Sequence, residues 1–231
     1  MTDQELAKHR QNASAQTMGI SSNRIYDCVI SELISRSASG SCLDHGAGAG
    51  DLLGLLYDSK IFDELSGADL MGRPGGLNEK IHWISLDLNE KNDDMTSRFD
   101  VIVSSEVIEH LENPREVFRD FHKKLKPGGL LVVTTPNQQS IRSYVTLITK
   151  GHFDQFRDRD YPRHITALLK TDIERCAKEA GFEDGRFSYT DEGLVPFPKS
   201  DAKWNSFLGG IAKGQYFSDN LLYSCCKKSH Q

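Results

Sequence analysis

The sequence has no apolar run of the roughly 20 residues that a membrane-spanning helix takes, which excludes a helical span. Positive charge is not in excess. The 28 lysines and arginines face 33 acids, a net charge of -5, which argues against a broad electrostatic footprint for nucleic acid. The five cysteines, Cys28, Cys42, Cys176, Cys225 and Cys226, are odd in number and contain no C-x-x-C pair, so neither a disulfide framework nor a zinc site is indicated. Internal repeats and low-complexity tracts are missing, and Met1 to Gln16 is polar, unlike the apolar heart of a secretion signal. These absences set the expectation of a cytoplasmic, reducing setting. What remains is a 231-residue chain, long enough to bury the core of one α/β domain. The expected organisation is a flexible segment at residues 1–20, then a single domain at 21–231 with insertions at 138–168 and 192–218.

The most informative stretch that is present is Leu43-Asp44-His45-Gly46-Ala47-Gly48-Ala49-Gly50-Asp51, a G-x-G-x-G loop between a short apolar run and Leu52-Leu53-Gly54-Leu55-Leu56. Three alternate glycines let a backbone turn tightly and approach a ligand closely where a strand hands over to a helix N-terminus. The dinucleotide fingerprint places its third glycine three residues beyond the second, whereas here Gly50 comes after two and Asp51 follows, where it would repel a pyrophosphate. A Walker loop is excluded because no Gly-Lys-Ser/Thr follows. By itself the loop also fits a tight strand-to-helix turn in any α/β protein.

Further apolar runs end in polar residues downstream. Ser66-Gly67-Ala68-Asp69-Leu70 places an acid 19 residues after Gly50, about where α/β nucleoside sites hold a carboxylate for the ribose. Trp83 to Leu88 carries Asp87, Phe99 to Glu106 is a fourth run, and Lys126-Pro127-Gly128-Gly129 is expected to turn into a fifth, Leu130 to Asn137.

With this ordered set the chain resembles the class I S-adenosylmethionine-dependent methyltransferases. The LDxGxGxG loop, the acid after the second strand, the Asp-Leu pair after the third, the FDxIxxxEVxEH segment and the LKPGG turn carry the resemblance from about Ser41 to Phe182. It implies an α/β fold with a Rossmann-like seven-stranded sheet, order 3-2-1-4-5-7-6, the last strand antiparallel, and helices on both faces. It also implies S-adenosylmethionine along the carboxyl ends of strands one to four. Gly46, Gly48 and Gly50 would pass beneath its methionine portion while Asp44 orients the amino group. Asp69, with Leu70 beside it, would take the ribose hydroxyls, Asp87 and the Leu88 backbone would face the adenine, and Ser104 or Ser105 would line the methionine end. His45 is expected to fill space.

Glu106-Val107-Ile108-Glu109-His110 places oxygen and nitrogen donors at i, i+3 and i+4, so a helical turn would gather them on one face. E-x-x-E-H together with His164 from the segment after strand five resembles the divalent-metal site of the terminal 2′-O-methyltransferases of small RNAs, and the E-x-x-E-H part is shared with the ubiquinone-pathway O-methyltransferases. Two expectations follow. Glu106, Glu109, His110 and His164 hold Mg²⁺ or Mn²⁺, which promotes deprotonation of an acceptor hydroxyl. Alternatively Glu106 shapes the methionine pocket, Glu109 and His110 tie the turn down, and His164 caps the neighbouring loop; without a metal, His110 or His164 is the general base.

Helices are expected from Ser22 to Ser35, over the cofactor pocket, from Asn113-Pro114 with Val117, Phe118, Phe121 and Leu125 as its buried stripe, and from a Thr171-x-x-Glu174 capping box to near Gly181. Strands six and seven are expected at Arg186–Thr190 and Asn220–Cys226. The aromatic, charged segments at 151–164 and 193–218 suit a lid or substrate wall, the second equally a homodimer contact. The acceptor is expected to be a small molecule or a saccharide. RNA 2′-O-methylation is the second reading, and a non-catalytic S-adenosylmethionine-binding scaffold the third.

Overall fold

The computed structural model describes residues 21–90, 95–197 and 201–229. The expected flexible segment at 1–20 lies outside them. Seven strands form one sheet: β1 (Ser41–His45), β2 (Glu64–Asp69), β3 (His82–Ser85), β4 (Phe99–Ser105), β5 (Leu125–Pro136), β6 (Phe182–Tyr189) and β7 (Asn220–Lys227). Their order is β3-β2-β1-β4-β5-β7-β6, parallel throughout except that β7 runs antiparallel to both neighbours. This is the Rossmann-like arrangement expected.

Both faces are covered, which is why the central strands read as continuous apolar runs. On one face α1 (Asn23–Ser35) and α2 (Asp51–Ser59) bury Tyr26, Val29, Leu33, Leu52, Leu53 and Leu56 against Val101, Val103 and Val132. On the other, α3 (Pro114–Lys124) and α5 (Lys170–Ala180) bury Val117, Phe118, Phe121, Ile173 and Ala177 against Leu43, Ile102 and Leu131. Phe118 stands edge-on to Phe121 and Phe182, at centroid distances of 6.0 and 6.4 Å. The α1 N-terminus is capped by Ser22, whose hydroxyl accepts from Ile25 N, and that of α3 by Asn113, which accepts from Glu116 N ahead of Pro114 at the first helical position.

Several boundaries differ from expectation for identifiable reasons. Helix α5 starts at Lys170: Asp172 accepts the Leu169 amide at 3.1 Å, so the Thr171–Glu174 box is not the cap. Strand β3 stops at Ser85, leaving Leu86, Asp87 and Leu88 beyond it. The LKPGG segment is not a turn before β5 but a bulge within it. Leu125 pairs with Phe99 and Leu130 with Val101, while Lys126 binds Asp100 at 2.7 Å. Strand β6 begins at Phe182 because its first residues, before a second bulge, also pair with β7.

The insertions contain α4 (Ile141–Lys150) and a 3₁₀ turn at Asp158–Asp160, and then α6 (Asn205–Leu208) with short 3₁₀ turns after it. Because β7 is antiparallel, its start at Asn220 pairs with the end of β5 at Pro136. Both insertions therefore gather at the carboxyl end of the parallel strands, and Asn137 ties them by donating to the carbonyls of Gln215 and Ser218. No helix among the described residues is long and apolar enough to cross a membrane.

Candidate active site

The glycine loop leaves β1 in a conformation that other residues rarely adopt. Gly46, Gly48 and Gly50 have φ of +87°, +51° and +83°, and Gly50 is the N-cap of α2. Gly46 donates to Ala68 O at 2.8 Å, which binds the loop to β2, and a Cβ on Gly46 would lie 2.3 Å from Val107 Cγ2. That contact presses the turn after β4 against the loop, so the two halves of the site touch.

The acids predicted for the cofactor are at the strand ends. Asp69 is buried and its two oxygens accept the amides of Gly48 (2.9 Å) and Met71 (2.8 Å), which fixes the carboxylate at the loop mouth and leaves lone pairs over for hydroxyls. Leu70 follows it. Asp44 is buried and accepts no hydrogen bond among the described residues; burial, then the charge of Asp69, pushes its carboxyl up to about 7. A buried acid without a donor, beside a cradle that only glycine fits, matches a ligand bearing an ammonium group. Asp87 accepts the Asn89 amide at 2.9 Å, and Asn89 in turn accepts that of Glu112; Leu88 packs on the core. Ser104 is fully buried and its Oγ has no partner among the described residues, while Ser105 Oγ lies 3.1 Å from Thr134 Oγ1. His45 is buried edge-on to Phe121, and burial, then the charge of Lys124, lowers it to about 3.

The E-x-x-E-H segment does not put its three donors on one face. Glu106 adopts φ +56°, ending β4, and only Ile108–His110 forms a 3₁₀ turn. The Glu106 carboxylate turns instead to the sheet, accepting from Thr134 Oγ1 (2.9 Å) and Asn220 Nδ2 (2.7 Å). The four-residue cluster is thus corrected to three. One donor atom from each of Glu109, His110 and His164 lies within 4.8 Å of the others. His164 arrives because Ile165 and Thr166 donate their amides to Glu109 O, both at 3.0 Å.

Each imidazole is fixed through its Nδ1, at 2.6 Å from a carbonyl: Arg163 O for His110 and Gln155 O for His164. A carbonyl only accepts, so both rings carry a proton on Nδ1; the Glu106 backbone also hydrogen-bonds His110, while His164 has no second hydrogen bond among the described residues. Burial lowers the pKa of both, with the charge of Arg163 adding to the effect on His110 and that of His110 adding to the effect on His164. Glu109 is fully buried; Oε2 accepts from Thr135 Oγ1 at 3.1 Å, Oε1 has no partner among the described residues, and burial pushes its carboxyl up to about 8. Burial and then the charge of Glu109 raise Glu106 as well.

A family model described as a methyltransferase domain matches residues 19–184. The chain belongs to this class I methyltransferase family. The domain is 25% identical over 151 residues to the ubiquinone biosynthesis O-methyltransferase of Dechloromonas aromatica (strain RCB), covering 61% of this chain and 63% of that one. It is 23% identical over 185 residues to the protein of that name from Psychrobacter arcticus, covering 76% and 64%. The chain therefore spans a little under two thirds of the length of these relatives. Among solved structures, a SAM-dependent methyltransferase from Archaeoglobus fulgidus superposes with a TM-score of 0.59 at 18% identity, over 87% of this chain and 94% of that one, a likeness of fold.

Sequence reasoning missed the residues of this methyltransferase domain that set its donors. Thr134, Thr135 and Asn220 hold the two glutamates, and the carbonyls of Gln155 and Arg163 fix the two histidines. A backbone carbonyl has no sequence signature, so only Thr134 and Thr135, polar in an apolar run, gave any sign.

Proposed function

We propose that the domain transfers the methyl group of S-adenosylmethionine to a hydroxyl of a small molecule or saccharide. The carrying observation is the cluster of Glu109, His110 and His164, one donor atom of each within 4.8 Å of the others, in and beside the turn after β4 that packs against the glycine loop. S-adenosylmethionine would be held by Gly46, Gly48 and Gly50, with Asp44 for its ammonium, Asp69 for its ribose, and Asp87 and Leu88 near its adenine. The acceptor oxygen attacks the methyl carbon in line with the sulfonium. The O–C bond forms as the S–C bond breaks, the bonding pair returns to sulfur, and the acceptor proton goes to Nε2 of His164. Both histidines are neutral at pH 7 because their pKa values are lowered, so the base is ready. The ubiquinone-pathway relatives, named as O-methyltransferases, support oxygen as the accepting atom.

A divalent cation on Glu109, His110 and His164 is the second reading, favoured by the buried Oε1 of Glu109, unpartnered among the described residues, in a cluster whose donor atoms lie within 4.8 Å of one another. Two nitrogen donors suit Mn²⁺ better than Mg²⁺. Such an ion, when bound, lowers the pKa of a hydroxyl that ligates it. The test is methyl transfer to a panel of hydroxylated acceptors, followed by mass, with S-adenosylhomocysteine affinity measured alongside. His164→Ala is expected to lose roughly a hundredfold or more in turnover with cofactor affinity unchanged. Full activity of that variant removes His164 from the mechanism, and activity that survives exhaustive chelation removes the metal.

A further inference from the structure

We infer that Arg163 recognises an oxyanion, a carboxylate or a phosphate, that the acceptor carries near the hydroxyl to be methylated. The inference rests on the acceptor site proposed above. The backbone of Arg163 is pinned there, its carbonyl held by His110 and its neighbour being His164. Its side chain is 32% exposed, and its guanidinium makes no hydrogen bond among the described residues. Its only ion pair there is a loose one, 3.7 Å from Asp160 Oδ1.

Asp160 does not need it. Oδ2 of Asp160 already accepts from Arg157 N (3.1 Å) and Nε (2.7 Å), and Arg159 also stands 3.9 Å from Oδ1. Three guanidiniums thus share one carboxylate that is only 9% exposed. Asp158, the other acid of the turn, forms no ion pair among the described residues. Arg142, another cation of the insertion, is occupied by Asp154 at 3.0 Å. Arg163 therefore keeps a free planar fork of donors, the geometry that matches carboxylate and phosphate two bonds at a time. Its carbonyl is bonded to His110 and it adjoins His164 in sequence, so its charge reaches both imidazoles, adding to the effect of burial on each. Around it Tyr161 and Ile165 are exposed at 69% and 38%, and the Phe156 ring stacks at a tilt 5.3 Å from that of His164. This wall suits an acceptor with an apolar or ring-shaped body and one anionic group.

The experiment titrates matched pairs into the full-length protein saturated with S-adenosylhomocysteine: catechol against protocatechuate, and inositol against inositol monophosphate. In low salt the anionic member of at least one pair is expected to bind about tenfold or more tighter than its neutral partner, and Arg163→Gln to reduce that preference to about threefold or less with cofactor affinity unchanged. The pair that responds names the oxyanion. Arg163→Lys, which keeps the charge and loses the fork, is expected to fall between the two and serves if the glutamine variant does not fold. Equal affinities within both pairs, a preference that persists in Arg163→Gln, or no binding of either anionic compound at millimolar concentration overturns the inference. Tight anionic binding without methyl transfer leaves it standing and overturns the O-methylation reading instead.

Discussion

The contact between Gly46 and Val107 couples cofactor loop to chemistry, and it yields a number. An alanine at 46 would sit at φ +87°, a strain of about 1–2 kcal/mol for an L-residue. Its Cβ would also meet Val107 Cγ2 at 2.3 Å, Cγ1 at 3.0 Å and Cβ at 3.2 Å. Overpacking of this kind costs about 1–3 kcal/mol, so Gly46→Ala is expected to destabilise by roughly 2–5 kcal/mol in all. The loop cannot swing away freely, because the Gly46 amide is bonded to Ala68 O in β2. Val107→Ala removes both clashing methyls and costs about 1–2 kcal/mol in lost burial when made alone. Combined, the two changes are expected to be less damaging than their sum by about 1–3 kcal/mol, with the φ strain left over. Denaturant unfolding of the four proteins measures the stability coupling, and calorimetric titration with S-adenosylhomocysteine measures whether affinity, expected to fall roughly tenfold or more in Gly46→Ala, recovers with it. Additivity to within about 0.5 kcal/mol would falsify the contact as the link between loop and turn.

Three further outcomes are expected. Glu109 has its pKa raised to about 8, so the folded state holds a proton that the unfolded chain has lost above its ordinary value of 4.5. Stability of the cation-free protein should fall as pH climbs through that window, and Glu109→Gln should flatten the slope, by an amount on the order of a few kcal/mol at the alkaline end; unchanged pH dependence in the variant would sink the assignment. Asp44, raised to about 7, gains its charge as pH rises. Affinity for S-adenosylhomocysteine should rise between about pH 6 and pH 8, and Asp44→Asn should be weaker and pH-insensitive; a variant with the wild-type profile would place the ammonium elsewhere. Mn²⁺ binding, followed by its paramagnetic resonance signal, should survive Glu106→Gln and be lost in Glu109→Gln, and equal losses would restore the four-residue cluster.

Reading the strands from the sequence worked where a period or an acid at the strand end marked them. Asp44, Asp69 and Asp87 stand at or just beyond the ends of β1, β2 and β3, and the sheet order follows from the motif set. It failed where backbone pairing overrode residue chemistry. Lys126-Pro127-Gly128-Gly129 has every mark of a turn, yet it is carried inside β5 as a bulge because Leu125 still pairs with Phe99 and Lys126 finds Asp100. Phe182 to Gly185 carries turn-forming Asp184 and Gly185, yet Phe182 and Glu183 pair with Lys227 and Cys226. Within the site, His110 and His164 were legible as donors, but the carbonyls that fix their tautomers were not.

The two glutamates of the E-x-x-E-H segment show what a spacing rule leaves undecided. An interval of three puts two side chains on one face only while the backbone is helical across the whole interval. Here Glu106 is still paired to the end of the sheet, its amide held by Thr134 O at 3.2 Å and Thr134 Oγ1 at 3.0 Å, and the left-handed φ that closes β4 falls on this residue. Glu106 therefore inherits the environment of a strand end, two donors from β5 and β7, while Glu109 inherits that of the turn, one donor and one bare oxygen. Two buried acids so close repel one another when both are ionised; burial first, and then the charge of Glu109, raises Glu106. Both oxygens of Glu106 already have a donor, whereas Oε1 of Glu109 has none among the described residues, so Glu109 is the acid with an oxygen left for a ligand. That asymmetry, set by one left-handed residue, makes Glu109 rather than Glu106 the partner of His110 and His164.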